Sequence, residues 1–454
     1  MKLVFPILRM NWYRVLATTI DAALAQGHEV ECWHSIGGYH WASNRPNLER
    51  VPHFVHGVPT VFEYEANRTF VNLLNDHKPA AVISLCNPWD AEVGKPFQVP
   101  GKKPLWVTLA TNDSFIGVTT PDQMAANSLI VLRTKHEEDC TIDDHTADVR
   151  DLLRRMEAEP ELHGAMHTKT IRERLEKPWS TAMIDHFRTH TVRTGYPLLD
   201  SAMNIDAAAV RTAWGLPPHG PIIGCLSSPY GTVLNVPWEK AFATTSPLRQ
   251  RYWNYQWKGL RGALNPAPNE QQVMQALKNF ADRNNAPLVV KLRHTQDATP
   301  WMQKLADKII GEESYYPHSA VELAAIASVM FGFFSTGAPE AIAAGHPFIN
   351  LGIPGYNRED WERATSMFIG MFNHPGVSWT FEADDWIRQA ASLPLETFTL
   401  NPAAHRDYAN FFCGPLDGRH SPRVIYALEQ VANGCLPAEI PCDENHYVRL
   451  PASA

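Results

Sequence analysis

The sequence predicts an α/β protein that contains two doubly wound parallel sheets. With 454 residues the chain is too long for one ordinary hydrophobic core, which predicts two or three domains. Short apolar runs alternate with helical stretches, a pattern typical of parallel strands joined by helices. The alternation begins again after the turn-forming residues 215–220, so we expect a second sheet from residue 221 onward.

The first unit opens with a strand, a helix and a second strand. Residues 2–8 form an apolar run, residues 12–25 have helical periodicity, and residues 28–33 predict the next strand. This βαβ order is the usual start of a doubly wound sheet. The loop at residues 9–11 has no GxGxxG pattern, so the fingerprint of a dinucleotide site is absent.

Three later apolar runs of the first unit, at 79–85, 104–110 and 129–132, predict further strands. Ligands of open α/β sheets bind beyond the carboxyl ends of strands. We therefore expect chemistry near the polar residues that follow these runs, which are Asp90, Asn112, Asp113, Lys135 and His136. The acidic run at 137–145 matches no spacing of metal ligands, so neither a metal nor another cofactor is predicted.

The second unit repeats the pattern, with strands predicted at 221–226, 286–292 and 329–334. Hydroxyl and cationic residues follow the carboxyl ends of these strands. They are Ser227, Ser228, Lys291, Arg293, His294, Ser335 and Thr336. Because these groups would face one crevice, together they indicate a phosphate-binding site.

The segment 335–351 predicts an open turn, a short helix and a strand. Pro339 suits the first helical position, and one of residues 335–337 can serve as its cap. We expect unpaired N–H groups near Gly337 to bind a diphosphate together with the positive end of the helix. Glu340 lies in the first turn, where its carboxylate would meet sugar hydroxyls.

A last helix is predicted at 424–433, with Ser421 as its cap and Pro422 at its first position. Arg423 in the first turn offers a guanidinium fork for phosphate or carboxylate. The patterns divide the chain into a first domain at 1–200, a linker at 201–220, a second domain at 221–410, and a crossing helix with its tail at 411–454.

Composition and charge exclude several classes of function. The formal net charge of −8 argues against a nucleic-acid-binding protein held by phosphate contacts. The seven cysteines are scattered without a CxxC pair, which favours a reducing compartment and no structural zinc. The N-terminus is unlike a signal peptide, and no uncharged apolar run approaches the length of a membrane span. We expect a cytoplasmic protein, with peripheral contact to the inner membrane left open.

Several segments resemble motifs of the glycosyltransferases with the GT-B fold. Residues 193–200 (Arg-Thr-Gly-Tyr-Pro-Leu-Leu-Asp) resemble the V-x-G-x-P-x-x-D pattern of the family's first domain. Residues 335–341 with 345–347 resemble its donor-nucleotide motif. The Lys291 segment and residues 417–423 (Asp-Gly-Arg-His-Ser-Pro-Arg) are similar to bacterial surface-polymer transferases, including CDP-glycerol glycerophosphotransferases and capsule sugar transferases.

The resemblance implies two Rossmann-like doubly wound domains that face a cleft, with a C-terminal helix returning to the first domain. It implies a metal-independent glycosyltransferase that moves a sugar from a nucleotide-activated donor to a hydroxyl of a glycan, a lipid-linked acceptor or a small molecule, in bacterial surface glycan synthesis. The helix start, Lys291 and Arg423 would stabilise the leaving phosphate. The base that accepts the proton of the acceptor would be Asp113 or, second, His136.

Two departures from the family pattern matter. Many retaining members carry Glu-x7-Glu with the second glutamate at Glu340, but the partner position here is Gly332, which favours inversion. The usual Lys-x-His-Pro is Lys-Leu-Arg-His-Thr at 291–295, which leaves open whether Arg293 or His294 faces the phosphate.

Two other functions stay open at this point. One is a non-hydrolysing nucleotide-sugar 2-epimerase, although its acidic D-S-G-G-x-x-E-E segment is represented here at 335–340 without the leading Asp or the paired Glu. The other is a nucleotide-sugar-binding protein without catalytic activity.

Overall fold

The computed structural model describes residues 1–37, 45–65, 67–85, 104–110, 121–146, 179–227, 232–234, 269–292, 296–311, 314–333, 335–352 and 370–452. The predictions for Asp90, Asn112, Asp113, Ser228, Arg293 and His294 lie outside these ranges. None of the helices that the structure describes is long and apolar enough to span a membrane.

Seven described strands form the first sheet in the order β3-β2-β1-β4-β5-β6-β7, and every neighbouring pair is parallel. They are β1 (Lys2–Ile7), β2 (Glu29–Ser35), β3 (Thr60–Tyr64), β4 (Ala81–Ser84), β5 (Leu105–Leu109), β6 (Leu129–Leu132) and β7 (Thr191–Arg193). In the centre, Leu3 of β1 pairs with Val30 of β2 on one side and with Ala81 of β4 on the other.

The helices of the first half of the chain, which builds the first sheet, are α1 (Tyr13–Ala25), α2 (Asn67–His77), α3 (Pro121–Ala126), α4 (Lys135–Thr146) and α5 (Thr181–His190). Helix α1 confirms the helix predicted at 12–25, whereas α2 and α3 were not predicted. A short 3-10 helix at Met10–Trp12 leads into α1. After the end of α1, Gly27 has a φ of 74°, which glycine adopts without strain. Ser180 caps α5 by accepting a hydrogen bond from the N–H of Met183 at 3.3 Å.

Six described strands form the second sheet in the order β12-β10-β8-β13-β14-β15, again with parallel neighbours. They are β8 (Ile223–Leu226), β10 (Leu288–Lys291), β12 (Lys308–Ile310), β13 (Val329–Gly332), β14 (Phe348–Leu351) and β15 (Ser378–Phe381). A separate antiparallel pair joins β9 (Thr232–Leu234) to β11 (Gln296–Ala298). Strands β8, β10, β13 and β14 are buried throughout, because helices cover both faces of the sheet.

The remaining helices are α6 (Leu199–Asn204), α7 (Ala207–Ala213), α8 (Asn269–Arg283), α9 (Pro300–Leu305), α10 (Ser319–Ile326), α11 (Ala338–Ala343), α12 (Ala383–Gln389), α13 (Pro402–Phe412) and α14 (His420–Ala432). Further 3-10 helices lie at Leu48–Arg50, Ala390–Ser392, Leu395–Phe398 and Pro437–Glu439. The predicted linker thus contains most of α6 and all of α7, which pack into the same core as β8 and β13. The domain boundaries stay a prediction.

The C-terminal helix returns to the first half, as the resemblance implied. Helix α14 packs on α1, and Val424, Ile425 and Leu428 belong to the same buried core as Leu3 and Val30. The predicted start of this helix is wrong by two residues, because α14 begins at His420 rather than at Pro422. The residue that precedes it is Arg419, so Ser421 lies inside the first turn and is not the cap.

The strand order places one reversal of winding in each sheet. In the first sheet the chain builds outward from β1 through β2 and β3, and then continues on the other side from β4. In the second sheet the same change occurs between β8 and β13. Ligands of open α/β sheets bind at such switch points, beyond the carboxyl ends of the strands. A ligand is therefore expected near the segments that follow β1, β8 and β13.

Candidate functional site

The two switch points meet through one ion pair. Arg14 lies in the first turn of α1, directly after the β1 switch point, and its Nη2 group donates to Oε1 of Glu340. Glu340 lies in the first turn of α11, directly after β13. Its side chain is only 1% exposed, whereas that of Arg14 is 28% exposed. A contact between residues 326 positions apart therefore joins the segments that follow the two switch points.

Two buried polar atoms at the switch point of the second sheet have no hydrogen-bond partner among the described residues. They are Oε2 of Glu340, which is the oxygen that does not contact Arg14, and Oγ of Ser227 at the end of β8. A buried polar group without a partner costs about 1–3 kcal/mol, so native structures rarely leave two of them at one place without a reason. An acceptor and a hydroxyl at one switch point suit a ligand with hydroxyl and phosphate groups.

Gly337 brings the start of α11 against the end of β8. A Cβ atom at this position would collide with Cδ1 of Leu226, the residue before Ser227. The φ of Gly337 is −76°, which any residue adopts, so the requirement for glycine here is one of space. The missing side chain lets the start of the Glu340 helix lie against the end of β8.

The prediction of unpaired amides at the start of this helix is wrong for two residues. The N–H of Gly337 donates to Oγ of Ser335 at 3.2 Å, and the N–H of Ala338 donates to the carbonyl oxygen of Ser335 at 3.2 Å. Ser335 is half-buried by this role, and Thr336 is exposed. The polar character of the site therefore comes from side chains more than from free backbone donors.

Lys291 occupies the neighbouring strand end. It is paired in register with Leu226, and its carbonyl oxygen accepts from the N–H of Ser227 at 2.9 Å. The side chain is 6% exposed, and Nζ donates to the carbonyl oxygen of Leu292 at 2.9 Å. The structure thus places a buried cation next to Ser227, and contact with phosphate stays a prediction.

A second ion pair lies beside the first. Arg133, at the end of β6, contacts Glu137 at 2.8 Å and stacks over the ring of Tyr196 at 5.1 Å. Burial raises the pKa of Tyr196, and the nearby charges of Arg14 and Arg133 act in the opposite direction. The junction of the two halves therefore contains two arginines and two glutamates around one buried phenol, without a large excess of charge.

Arg423 is engaged in holding the fold. Its Nη1 and Nη2 groups donate to the two carboxylate oxygens of Asp417 at 2.8 and 2.6 Å, and Nε donates to the carbonyl oxygen of Val448 at 3.0 Å. Burial opposes the ionisation of Asp417, but the hydrogen bonds from Arg423 outweigh it and lower the pKa of the carboxyl group. The planar fork was anticipated, and its observed partner is a carboxylate within the same motif.

The described contacts of His136 do not include Arg14 or Glu340. Its half-buried ring packs edge-on against Phe411 and Phe412, with ring centroids 5.3 and 5.5 Å apart, and lies near Sγ of Cys140 at 3.6 Å. Its role as a base stays a prediction, as does that of Asp113 outside the described residues.

Sequence reasoning missed the residues of α1 that face the second half. Besides Arg14, Asp21 accepts a hydrogen bond from the hydroxyl of Tyr316 at 3.0 Å. Nearby, Nη2 of Arg50 donates to the hydroxyl of Tyr315 at 2.7 Å. Arg14 and Asp21 are seven residues apart and share one face of the helix. Two charged residues seven positions apart in an otherwise largely apolar helical stretch were the signal in the sequence that this helix face meets polar partners.

Comparison with solved structures establishes the fold. The chain superposes on a protein described as a UDP-N-acetylglucosamine 2-epimerase from Listeria monocytogenes with a TM-score of 0.52, 9% identity, and coverage of 99% of each chain. At this identity the likeness shows the fold alone, and the chain has a GT-B-like fold.

Other solved structures are similar at lower scores. The wall teichoic acid polymerase TagF (H548A variant) is matched with a TM-score of 0.49 and 8% identity over 95% of this chain and 89% of that one. UDP-GlcNAc 2-epimerase from Neisseria meningitidis, bound to UDP-GlcNAc, is matched with a TM-score of 0.48 and 10% identity over 95% and 100%. No protein-family model and no curated protein matches the sequence.

Proposed function

We propose that the protein is a glycosyltransferase that moves a sugar from a nucleotide-activated donor to a hydroxyl acceptor. The observation that carries the proposal is the junction of the two switch points, where Arg14 meets Glu340 and two buried polar atoms lack partners among the described residues. A fold with two such sheets places a ligand between their carboxyl ends. Donor and acceptor would then bind from opposite halves.

The second half provides groups suited to the donor. The hydroxyl of Ser227 would donate to a phosphate oxygen, and Oε2 of Glu340 would accept from a hydroxyl of the sugar or ribose. The cation of Lys291, buried at the next strand end, would favour the leaving phosphate as its charge develops. Ser227 and Glu340 would each gain a hydrogen-bond partner from the ligand, and Lys291 would exchange its hydrogen bond to the carbonyl of Leu292 for one to the ligand.

The first half would hold the acceptor, because its switch point faces the same junction. Docking of the halves excludes water from a region where Glu340 is already 1% exposed, which strengthens electrostatic contacts with a bound ligand. Proton removal from the acceptor hydroxyl is assigned to a first-half base, Asp113 or His136. Gly332 at the position of the retaining glutamate favours inversion at the anomeric carbon. A role in bacterial surface glycan synthesis is part of the same proposal.

One assay separates this proposal from its two alternatives. The protein is incubated with a labelled nucleotide sugar, with and without candidate hydroxyl acceptors, and both sugar and nucleotide products are analysed. A transferase releases nucleotide in proportion to the glycosylated acceptor. A 2-epimerase converts the sugar without an acceptor, and a binding protein releases nothing. Either of the last two results would overturn the transferase assignment.

A further inference from the structure

Arg14 and Glu340 lie on helices that pack in different halves, α1 with the first sheet and α11 with the second, so their contact exists only when the two halves are docked. Glu340 lies buried in the first turn of α11 in the second half, and Arg14 reaches it from the first turn of α1. Removing one partner from a buried ion pair leaves the other charge uncompensated, which is strongly unfavourable. The docked first half therefore determines the environment of a carboxylate that belongs to the second half.

The docking does not depend on this pair alone. Further along the same face of α1, Asp21 accepts a hydrogen bond from the hydroxyl of Tyr316. From the 3-10 helix at Leu48–Arg50, Arg50 donates to the hydroxyl of Tyr315 and stacks over its ring at 5.2 Å. Both tyrosines come from the segment between β12 and α10. Loss of the Arg14 contact would thus leave other contacts between the halves, and Arg14 can be tested separately from docking.

We infer that Arg14 is a positioning residue for Glu340, and that its contact with Oε1 fixes the carboxylate with Oε2 presented to a hydroxyl of the bound nucleotide sugar. The inference rests on the proposed function. A carboxylate that is already oriented loses no rotamer freedom when the ligand binds. Because the orienting group belongs to the other half, ligand affinity and docking of the halves are coupled, and the coupling is reciprocal.

A double-mutant cycle on nucleotide affinity tests this inference. The variants are Arg14→Met, Glu340→Gln and the double variant, and the probe is whichever of UDP, GDP, CDP, CMP and dTDP gives the largest thermal shift with the wild-type protein. Isothermal titration then measures the dissociation constant of that nucleotide. We expect Arg14→Met alone to weaken binding about 10- to 100-fold, the range for hydrogen bonds to a charged group. In the Glu340→Gln background the same change should alter affinity by no more than about twofold.

Two controls make the result specific. Arg388→Met removes an exposed arginine that pairs with Asp385 on the same half, and it should leave nucleotide affinity unchanged. Arg14→Lys keeps a positive charge near Glu340, should recover part of the affinity, and replaces Arg14→Met if that variant does not fold.

The outcomes separate the inference from the proposed function. If the wild type binds a nucleotide and Arg14→Met weakens binding by the same factor in both backgrounds, Arg14 acts independently of Glu340 and the inference is overturned while the function stands. If no nucleotide of the panel binds the wild-type protein, the proposed function fails and the inference fails with it.

Discussion

Asp200 and His420 join two segments that lie 220 residues apart in the chain. One carboxylate oxygen of Asp200 accepts from the N–H of His420 at 2.9 Å, and the other accepts from the N–H of Ser421 at 2.6 Å. The first N–H groups of α14 are therefore capped by a residue at the start of α6 rather than by a residue of their own segment. The two motifs that resembled family patterns, at 193–200 and 417–423, form one structural joint.

Replacing Asp200 with alanine should destabilise the fold. The change removes both cap acceptors from a carboxylate that is 7% exposed, so we expect a loss of about 1–3 kcal/mol in the free energy of unfolding. Urea unfolding followed by circular dichroism measures it. Asp206→Ala is the matched control, because Asp206 caps the shorter helix α7 at an exposed position and should cost about 0.5–1 kcal/mol. Equal losses would contradict the importance of the Asp200 cap.

Gly195 is required in the same joint for space. A Cβ atom there would strike the ring of His420, and the φ of +85° is one that L-residues adopt at a cost. We expect Gly195→Ala to destabilise the protein by about 3 kcal/mol, the sum of backbone strain and overpacking. Gly434→Ala isolates the backbone cost, because Gly434 has a φ of +93° with nothing within 4 Å of its Cβ position, and it should cost about 1–2 kcal/mol. Urea unfolding measures both variants. An equal loss in the free energy of unfolding for the two would show that the ring of His420 moves aside at no energetic cost.

Ser227→Ala should separate binding from stability. Because Oγ of Ser227 has no partner in the described part of the chain, its removal should leave the melting temperature unchanged or slightly raised. If that hydroxyl donates to a phosphate, nucleotide affinity measured by titration should fall by about tenfold. An unchanged affinity would remove Ser227 from the proposed site, and a large fall in melting temperature would assign it a structural role.

The buried imidazole of His34 predicts a dependence of stability on pH. Its Nε2 lies 2.7 Å from the hydroxyl of Tyr13, and burial lowers the pKa of His34 to about 4. Between pH 6.5 and 4 the unfolded chain binds a proton that the folded protein does not, so stability should fall as the pH falls through this window. A shift of that size corresponds to about 3 kcal/mol.

The test compares urea unfolding of the wild type and His34→Gln across this pH window. The variant should show a shallower loss of stability on acidification, whereas replacing the exposed His219 with glutamine should leave the wild-type profile unchanged. Parallel profiles for wild type and His34→Gln would contradict the assignment.

The sequence was informative wherever a feature is local. The apolar runs predicted the β1–α1–β2 opening and the buried strands β8, β10, β13 and β14 of the second sheet, because strands covered on both faces must be apolar throughout. The edge strands β12 and β15, which are only partly buried, were not predicted. Ser227 was identified because it directly follows β8, and Glu340 was identified because it lies in the first turn of the helix after β13. Such patterns report where strands end, and the ends of parallel strands determine where a ligand can bind.

The misses concern which polar groups meet across the fold. Nothing in the neighbourhood of Arg14 indicates that its partner is Glu340, because the pairing depends on how two sheets dock. Ser335 was named as one possible cap, and its hydroxyl oxygen does accept a hydrogen bond from the N–H of Gly337. Arg423 was expected to bind phosphate, but its guanidinium donates instead to the carboxylate of Asp417, six residues earlier in the chain. Charge and spacing identified the groups without identifying their partners.

A crystal structure of the protein with the tightest-binding nucleotide of the UDP, GDP, CDP, CMP and dTDP panel would show whether the ligand binds at the junction of the two halves. We expect the nucleotide to lie between the two sheets, with Oγ of Ser227 and Oε2 of Glu340 each about 2.6–3.2 Å from a ligand atom. A nucleotide bound elsewhere, with both of these atoms still without a ligand contact, would contradict this expectation.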